Sequence, residues 1–316
     1  MSARFWSFLA GCLTLAFLLG CEPEPERAHG PTLTADELTA AQAHYQSFED
    51  ADALAEFLDY HDEAEPMISA HRGGPAPGFP ENALPTMQRS LQFAPMLLEF
   101  DLRLTEDSTI IVLHDETLDR TTTGEGPIGE HTFADTRQLL LRDDDTQEVL
   151  PIQMPTLDEV LTWARSRAVL TIDVKPDVPF EPVVDAVRRT GTEGESIIIV
   201  YNQEDLETVH ELAPDLNISA SVTNEDELEA LEESDVDLSR IIAFTGVGDV
   251  QPDLIEDIND LGIRAMLGTF GDLDERAVEE GPEVFHELLD QGVDVIATDE
   301  VEVAAEALET YEPATP

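Results

Sequence analysis

Residues 97–102, Leu97-Leu98-Glu99-Phe100-Asp101-Leu102, set two carboxylates into an otherwise apolar run. Successive side chains of a strand alternate sides, so Glu99 and Asp101 share one face. Inside a parallel sheet each such charge costs several kcal/mol unless it is paired or bound to a metal. The run therefore reads as a buried strand whose acidic face belongs to a site.

Outward from it, short apolar runs alternate with amphipathic stretches. Candidate strands lie at 67–70, 97–102, 109–113, 169–174, 196–201, 217–222, 240–244, 263–267 and 293–297. Helical patterns at 157–165, 182–189, 204–212, 226–231 and 283–289 fall between them, and 35–60 reads as a further helix. Runs without strict alternation imply strands covered on both faces, and strand–helix alternation implies a parallel sheet. Nine candidates exceed the eight of a (β/α)8 barrel by one, and 217–222 or 240–244 is taken as the surplus. The gap between Leu102 and Thr109 is too short for a crossover helix, so one βα unit is expected to lack its helix. A doubly wound open sheet fits the pattern nearly as well. The chemistry-bearing residues decide for a TIM-type barrel, which builds its site at the C-terminal ends of successive strands.

Those ends carry Ala70-His71-Arg72-Gly73-Gly74 with Pro80-Glu81-Asn82, then Glu99-Phe100-Asp101, His114-Asp115, Asp173-Val174-Lys175 and Thr298-Asp299. Glu99 and Asp101, with Asp173 as a third carboxylate, suit a hard divalent cation such as Mg²⁺ or Ca²⁺. His71 and His114 can supply one neutral and one protonated imidazole, a general base and a general acid near neutral pH. Arg72 and Lys175 offer cationic donors to a phosphate. Lys175 is the sole lysine of the chain. Asp115 and Asp299 read as caps or orienting groups.

His-Arg-Gly, Pro-Glu-Asn, Glu-x-Asp and His-Asp followed by Leu118-Asp119-Arg120-Thr121-Thr122 together resemble the glycerophosphodiester phosphodiesterases. Order and spacing agree over 68–126, Pro155-Thr156-Leu157 before a helix is similar too, and a weaker likeness runs from Gly292 to Asp299. The resemblance implies a barrel of the phosphatidylinositol phospholipase C type. It implies metal ligands at Glu99, Asp101 and Asp173, acid–base roles for His71 and His114, phosphate contacts from Arg72 and Lys175, and bracing by Glu81 and Asn82. It further implies hydrolysis of a small glycerophosphodiester to glycerol 3-phosphate and an alcohol. Cleavage of intact lipid or of a glycerophosphate polymer is the alternative enzymatic reading, and a phosphodiester-binding lipoprotein the non-enzymatic one. Three positions depart from the family pattern. Asp173 stands where glutamate is usual, Ala83-Leu84 follows Asn82 where a hydroxyl residue is common, and Met266-Leu267-Gly268-Thr269-Phe270 replaces a tryptophan-bearing segment of the substrate wall.

The N-terminus frames this domain. Residues 5–20 are almost wholly apolar, and Leu18-Leu19-Gly20-Cys21 resembles a bacterial lipoprotein signal in which Cys21 is lipidated. The expected organisation is a leader at 1–20, an acidic Pro-rich tether and helix at 21–64, and the barrel at 65–312. Export follows, with lipid anchoring at Cys21 to the cell envelope. In an envelope that has an outer membrane, the lack of aspartate at residue 22 points to transit to it, facing the periplasm. With the leader removed, Cys21 is the only cysteine left, so no intramolecular disulfide is available.

Charge excludes one class of partner. The 316 residues hold 16 basic and 69 acidic side chains, a net charge of −53 that repels nucleic acid. The acid is interleaved with apolar residues along the chain, a pattern suited to concentrated salt, where screening removes self-repulsion. The hypothesis of a halophilic source predicts a protein markedly more stable in molar than in dilute salt. Identical unfolding curves in the two would refute it.

Overall fold

The computed structural model describes residues 31–313; the leader and Cys21 lie outside them. The chain begins with α1 (Ala35–Ala43), α2 (Ala51–Leu58), β1 (Met67–Ala70), α3 (Leu84–Ser90), β2 (Leu97–Leu104), β3 (Ile110–Val112) and α4 (Phe133–Thr136). It continues through α5 (Leu157–Ala164), β4 (Val169–Val174), α6 (Phe180–Thr190), β5 (Ser196–Val200), α7 (Gln203–Leu212), β6 (Asn217–Ser221) and α8 (Glu225–Glu232). Last come β7 (Ile241–Val247), α9 (Pro252–Asp260), β8 (Arg264–Gly268), α10 (Asp272–Glu280), α11 (Glu283–Leu289), β9 (Val295–Thr298) and α12 (Val301–Thr310).

Strands β1, β2 and β4 to β9 pair in parallel, and β1 joins both β2 and β9, so the sheet closes on itself. This is the (β/α)8 barrel for which the chemistry-bearing residues decided over a doubly wound open sheet. The surplus strand is a different one from that expected: 217–222 and 240–244 form barrel strands β6 and β7, and 109–113 leaves the barrel. There β3 runs antiparallel to β2, with Leu102 opposite Val112 and Leu104 opposite Ile110. The short gap after Leu102 is thus a hairpin. Ser108 takes a left-handed φ of 61° at its turn, and the Thr105 N–H reaches the Thr109 carbonyl at 3.1 Å. The crossover from β2 to β4 carries its helix later, as α5, which opens on a capping box between Thr156 and Glu159. A short apolar run signals a strand but not its direction, which here is set by the turn.

The helical reading of 35–60 holds at its two ends and fails between them. Asp50 accepts the Ala53 N–H at 2.9 Å and starts a second helix. The break lets α1 lie along α3 while α2 turns beneath the barrel. Leu54 and Leu58 of α2 meet an apolar floor of Met67, Leu97, Val169, Ile197, Ile242, Met266 and Val295. Leu54 is fully buried, which stabilises by about 1.5–3 kcal/mol. Asn217 donates to the Ala51 carbonyl at 3.0 Å, and Arg264 donates to the Leu58 carbonyl at 3.1 Å, fastening both ends of the plug. Outward-facing Ile68, Leu98, Phe100, Ile172, Ile198 and Ile296 pack against the surrounding helices in one continuous core. No helix among the described residues is long and apolar enough to cross a membrane.

Candidate active site

Above that floor the inward positions turn acidic. Register pairs Asp101 of β2 with Asp173 of β4, and Glu99 lies one inward position below Asp101. Glu99, Asp101 and Asp173 each place an oxygen within 4.8 Å of the other two, and all three are buried. Burial, then repulsion from Asp101 and Asp173, pushes Glu99 well above the usual carboxylate range. Burial lifts Asp173 as well. It acts on Asp101 too, but Lys175, His114 and Asn82 outweigh it and hold that carboxyl below its ordinary value. Asp173 Oδ1 has no hydrogen-bond partner. Three converging buried carboxylates with an unpartnered oxygen fit a hard divalent cation.

Cationic and neutral donors crowd the same oxygens. Lys175 Nζ lies 2.6 Å from Asp101 Oδ1 and 2.5 Å from Asp173 Oδ2. The Tyr201 hydroxyl donates to Asp173 Oδ2 at 2.6 Å. Asn82 Nδ2 donates to Asp101 Oδ2 at 2.8 Å, and Asn82 Oδ1 accepts the Asp101 N–H at 3.0 Å. Arg72 Nη1 donates to Glu81 Oε2 at 2.9 Å, while its Nε stands 3.9 Å from Asp101 Oδ2. Lys175 and Arg72, read from sequence as phosphate contacts, therefore border the carboxylate cluster and pair with carboxylates here. Burial works against the charge on Lys175, but Asp101 and Asp173 more than restore it.

The residues after β1 fold tightly for a local reason. Arg72 adopts a left-handed φ of 50°, aiming its N–H at Glu99 Oε2 at 2.5 Å. Its carbonyl accepts the Asn82 N–H at 2.8 Å. Such a backbone persists only where surrounding contacts over-determine it. Gly74 follows at φ 76°, and a Cβ there would meet Ser90 Oγ at 2.6 Å and Val301 Cγ1 at 2.7 Å. Close packing of α3 and α12 thus explains this glycine of the His-Arg-Gly-Gly motif.

Each histidine of the site has a carboxylate at one ring nitrogen. His71 Nδ1 lies 2.9 Å from Asp299 Oδ1, and His114 Nδ1 lies 2.8 Å from Asp115 Oδ1. An ionised carboxylate can only accept, so this pairing assigns the proton to Nδ1 and leaves Nε2 for chemistry. Hydrogen bonds from Arg120 hold Asp115 far below its usual range despite burial, with His114 assisting. Arg120 also grips Glu81 with two bonds of 2.8 Å. A continuous ladder results: Arg72, Glu81, Arg120, Asp115, His114. His114 comes from the β3 hairpin and not from a barrel strand. Arg103 donates to its carbonyl at 3.0 and 2.8 Å, and the Leu113 N–H reaches the Asp101 carbonyl at 3.0 Å.

Sequence reasoning gave Arg120 and Tyr201 no role and treated Asp115 and Asp299 as minor. Tyr201 did carry a signal, because it extends the inward alternation of Ile197 and Ile199. Arg120 stood within the family-like stretch 118–122, but nothing there pointed to its partner Glu81, 39 residues away.

Residues 71–303 match the model of the glycerophosphoryl diester phosphodiesterase family. The chain belongs to that family. A family member from Parabacteroides distasonis, known as a crystal structure, is 31% identical with a TM-score of 0.77, covering 86% of this chain and 95% of its own. The glycerophosphodiester phosphodiesterase of Caldanaerobacter subterraneus is 30% identical over 158 residues, 48% of this chain and 65% of the relative. That of Bacillus subtilis is 30% identical over 169 residues, 48% of this chain and 57% of the relative. Both curated matches thus span less than two thirds of the relative's length.

The electrostatics predict a pH dependence for cation binding. Glu99, raised above its ordinary value, holds a proton in the metal-free family member until the pH passes that raised value. A divalent ion must displace this proton. Binding of Mg²⁺ or Ca²⁺ should therefore release protons, tighten as pH rises, and level off once Glu99 is ionised. Calorimetric titration in buffers of differing ionisation enthalpy measures this. Affinity independent of pH, with no proton released, would contradict it.

Proposed function

We propose that the chain hydrolyses glycerophosphodiesters to glycerol 3-phosphate and an alcohol, in a divalent-cation-dependent reaction with histidine acid–base chemistry. The observation that carries this reading is the pair of carboxylate-held imidazoles, His71–Asp299 and His114–Asp115, on a mouth that also holds Glu99, Asp101 and Asp173. Family membership supports it.

A divalent ion held by Glu99, Asp101 and Asp173 would supply Lewis-acid polarisation of the phosphoryl oxygens. The other tasks fall to the chain's own groups. Arg72 and Lys175 draw the anionic phosphate toward the cluster. His71 Nε2 takes a proton from water as the new P–O bond forms; if the neighbouring glycerol hydroxyl attacks instead, a cyclic phosphodiester results, and water then opens it to glycerol 3-phosphate with the two histidines exchanging roles. His114, protonated at Nε2 beside Asp115, delivers its proton to the departing alcohol oxygen as the old P–O bond breaks. The Arg72–Glu81–Arg120–Asp115 ladder keeps phosphate contact and general acid in register.

Exposed large apolar side chains among the described residues, Leu38, Val149, Tyr201, Leu212, Val247 and Val278, stand apart in the sequence. They build no lipid-penetrating loop, which favours a small water-soluble substrate over intact lipid. The leader and Cys21 support the further proposal that the enzyme is exported and lipid-anchored in a bacterial envelope.

His71→Ala and His114→Ala should each lower kcat by ~10²–10⁴-fold. Chelation should abolish turnover, and Mg²⁺, Ca²⁺ or Mn²⁺ should restore it. A panel of glycerophosphodiesters assayed on the soluble domain in high salt measures both effects. Near-normal turnover by either variant would remove that histidine from the mechanism.

A further inference from the structure

His71 lies just past the end of β1, beside a left-handed residue, so no regular strand fixes its ring. The bond from Nδ1 to Asp299 leaves the ring free to turn about that contact, which would swing Nε2 across the mouth. A second constraint removes this freedom. The Phe270 ring stacks on the His71 ring at a centroid separation of 4.1 Å and an interplanar angle of 16°. Together a hydrogen bond at one edge and an aromatic face fix both the ring plane and the direction of Nε2.

Room for Phe270 comes from Gly268. A Cβ at that position would meet Phe270 Cε1 at 2.8 Å, Phe270 Cζ at 2.9 Å and Val247 Cγ2 at 3.0 Å. The backbone of Gly268 is not left-handed, so space and not conformation selects glycine here. The same connection steadies the other anchor. Buried Asp274 accepts the Asp299 N–H at 2.9 Å and the Thr298 hydroxyl at 2.7 Å, and the Thr269 N–H bonds the Ala297 carbonyl at 2.8 Å. One segment, 268–274, thus governs both restraints on the histidine.

We propose that Phe270, seated in the space left by Gly268, is a positioning residue that sets the ring plane of His71. The proposal rests on the reading of His71 as a reacting group. It assigns a task to the Gly268-Thr269-Phe270 stretch, where this chain departs from the tryptophan-bearing segment noted in its sequence.

The test compares wild type with F270A, F270Y, G268A and the double variant G268A/F270A, on glycerophosphocholine with Mg²⁺. F270A should lower kcat by ~10-fold or more with KM within about 2-fold, as for a misaligned reacting group, and F270Y should restore it. G268A should act similarly by displacing the ring. The double variant should be no worse than F270A alone, because the Phe270 atoms closest to the added methyl are then gone and the half-exposed Val247 side chain can give way. If F270A does not fold, F270L replaces it, filling volume without an aromatic face, and should show the same loss. On the metal-free protein, NMR should find the His71 Cε1 proton shifted upfield by the stacked ring in wild type and F270Y, and that shift lost in F270A. Wild-type kcat in F270A or F270L, or additive losses in the double variant, would overturn the proposal. Absence of turnover by wild type would instead sink the functional reading, while the NMR shift still reports on the stack.

Discussion

Three carboxylates brought within 4.8 Å of one another at the mouth of the barrel are the constraint to which the rest of the site answers. Ionised and alone they would repel strongly in a medium that screens poorly. The surrounding residues answer that repulsion one by one: Lys175 between Asp101 and Asp173, the Arg72 backbone turned left-handed toward Glu99, Tyr201 on Asp173, Asn82 on Asp101. A chain carrying −53 charges with a single lysine has few cations to place, and it places that lysine here. Glu99 is offset least, and its raised affinity for a proton marks what a divalent ion would replace.

The barrel separates stability from chemistry along its axis. The floor and its α2 plug are packed with apolar side chains, whereas charges gather at the opposite mouth. His71 and Asp299 arrive on neighbouring strand ends of β1 and β9. The other half of the constellation depends on a departure from the regular βα rhythm: the β2–β3 hairpin folds back and carries His114 to Asp101. From there Asp115 and the exposed Arg120 connect to buried Glu81 and so to Arg72, coupling the two halves through a chain of ion pairs.

Much of this was legible in the sequence because its cause is local. Two-residue spacing put Glu99 and Asp101 on one face, and apolar runs separated by amphipathic stretches located all nine strands, though the surplus one was sought at 217–222 or 240–244 and lies at 109–113. Metal-ligand candidates, both histidines and Asn82 all reached the site. What escaped notice depends on distant contacts or on direction. The orientation of 109–113 is decided by a turn and not by its own residues. The break at 44–50 follows from the need to plug the barrel, which no helical periodicity records. Arg120 and Phe270 gain their roles only from partners far along the chain, Glu81 and His71. For Arg72 and Lys175, residue type foretold the location, while their pairing with Glu81, Asp101 and Asp173 emerged only from the geometry.

Whether Glu99, Asp101 and Asp173 share a cation is the most direct point of contact with experiment. Crystals of the protein soaked in Mn²⁺ and measured at the manganese edge should give one strong anomalous peak, ligated by oxygens of Glu99, Asp101 and Asp173, with Lys175 displaced from between the two aspartates or retained on one of them. Crystals showing no peak there, with Lys175 still bridging Asp101 and Asp173 at saturating Mn²⁺, would contradict the account.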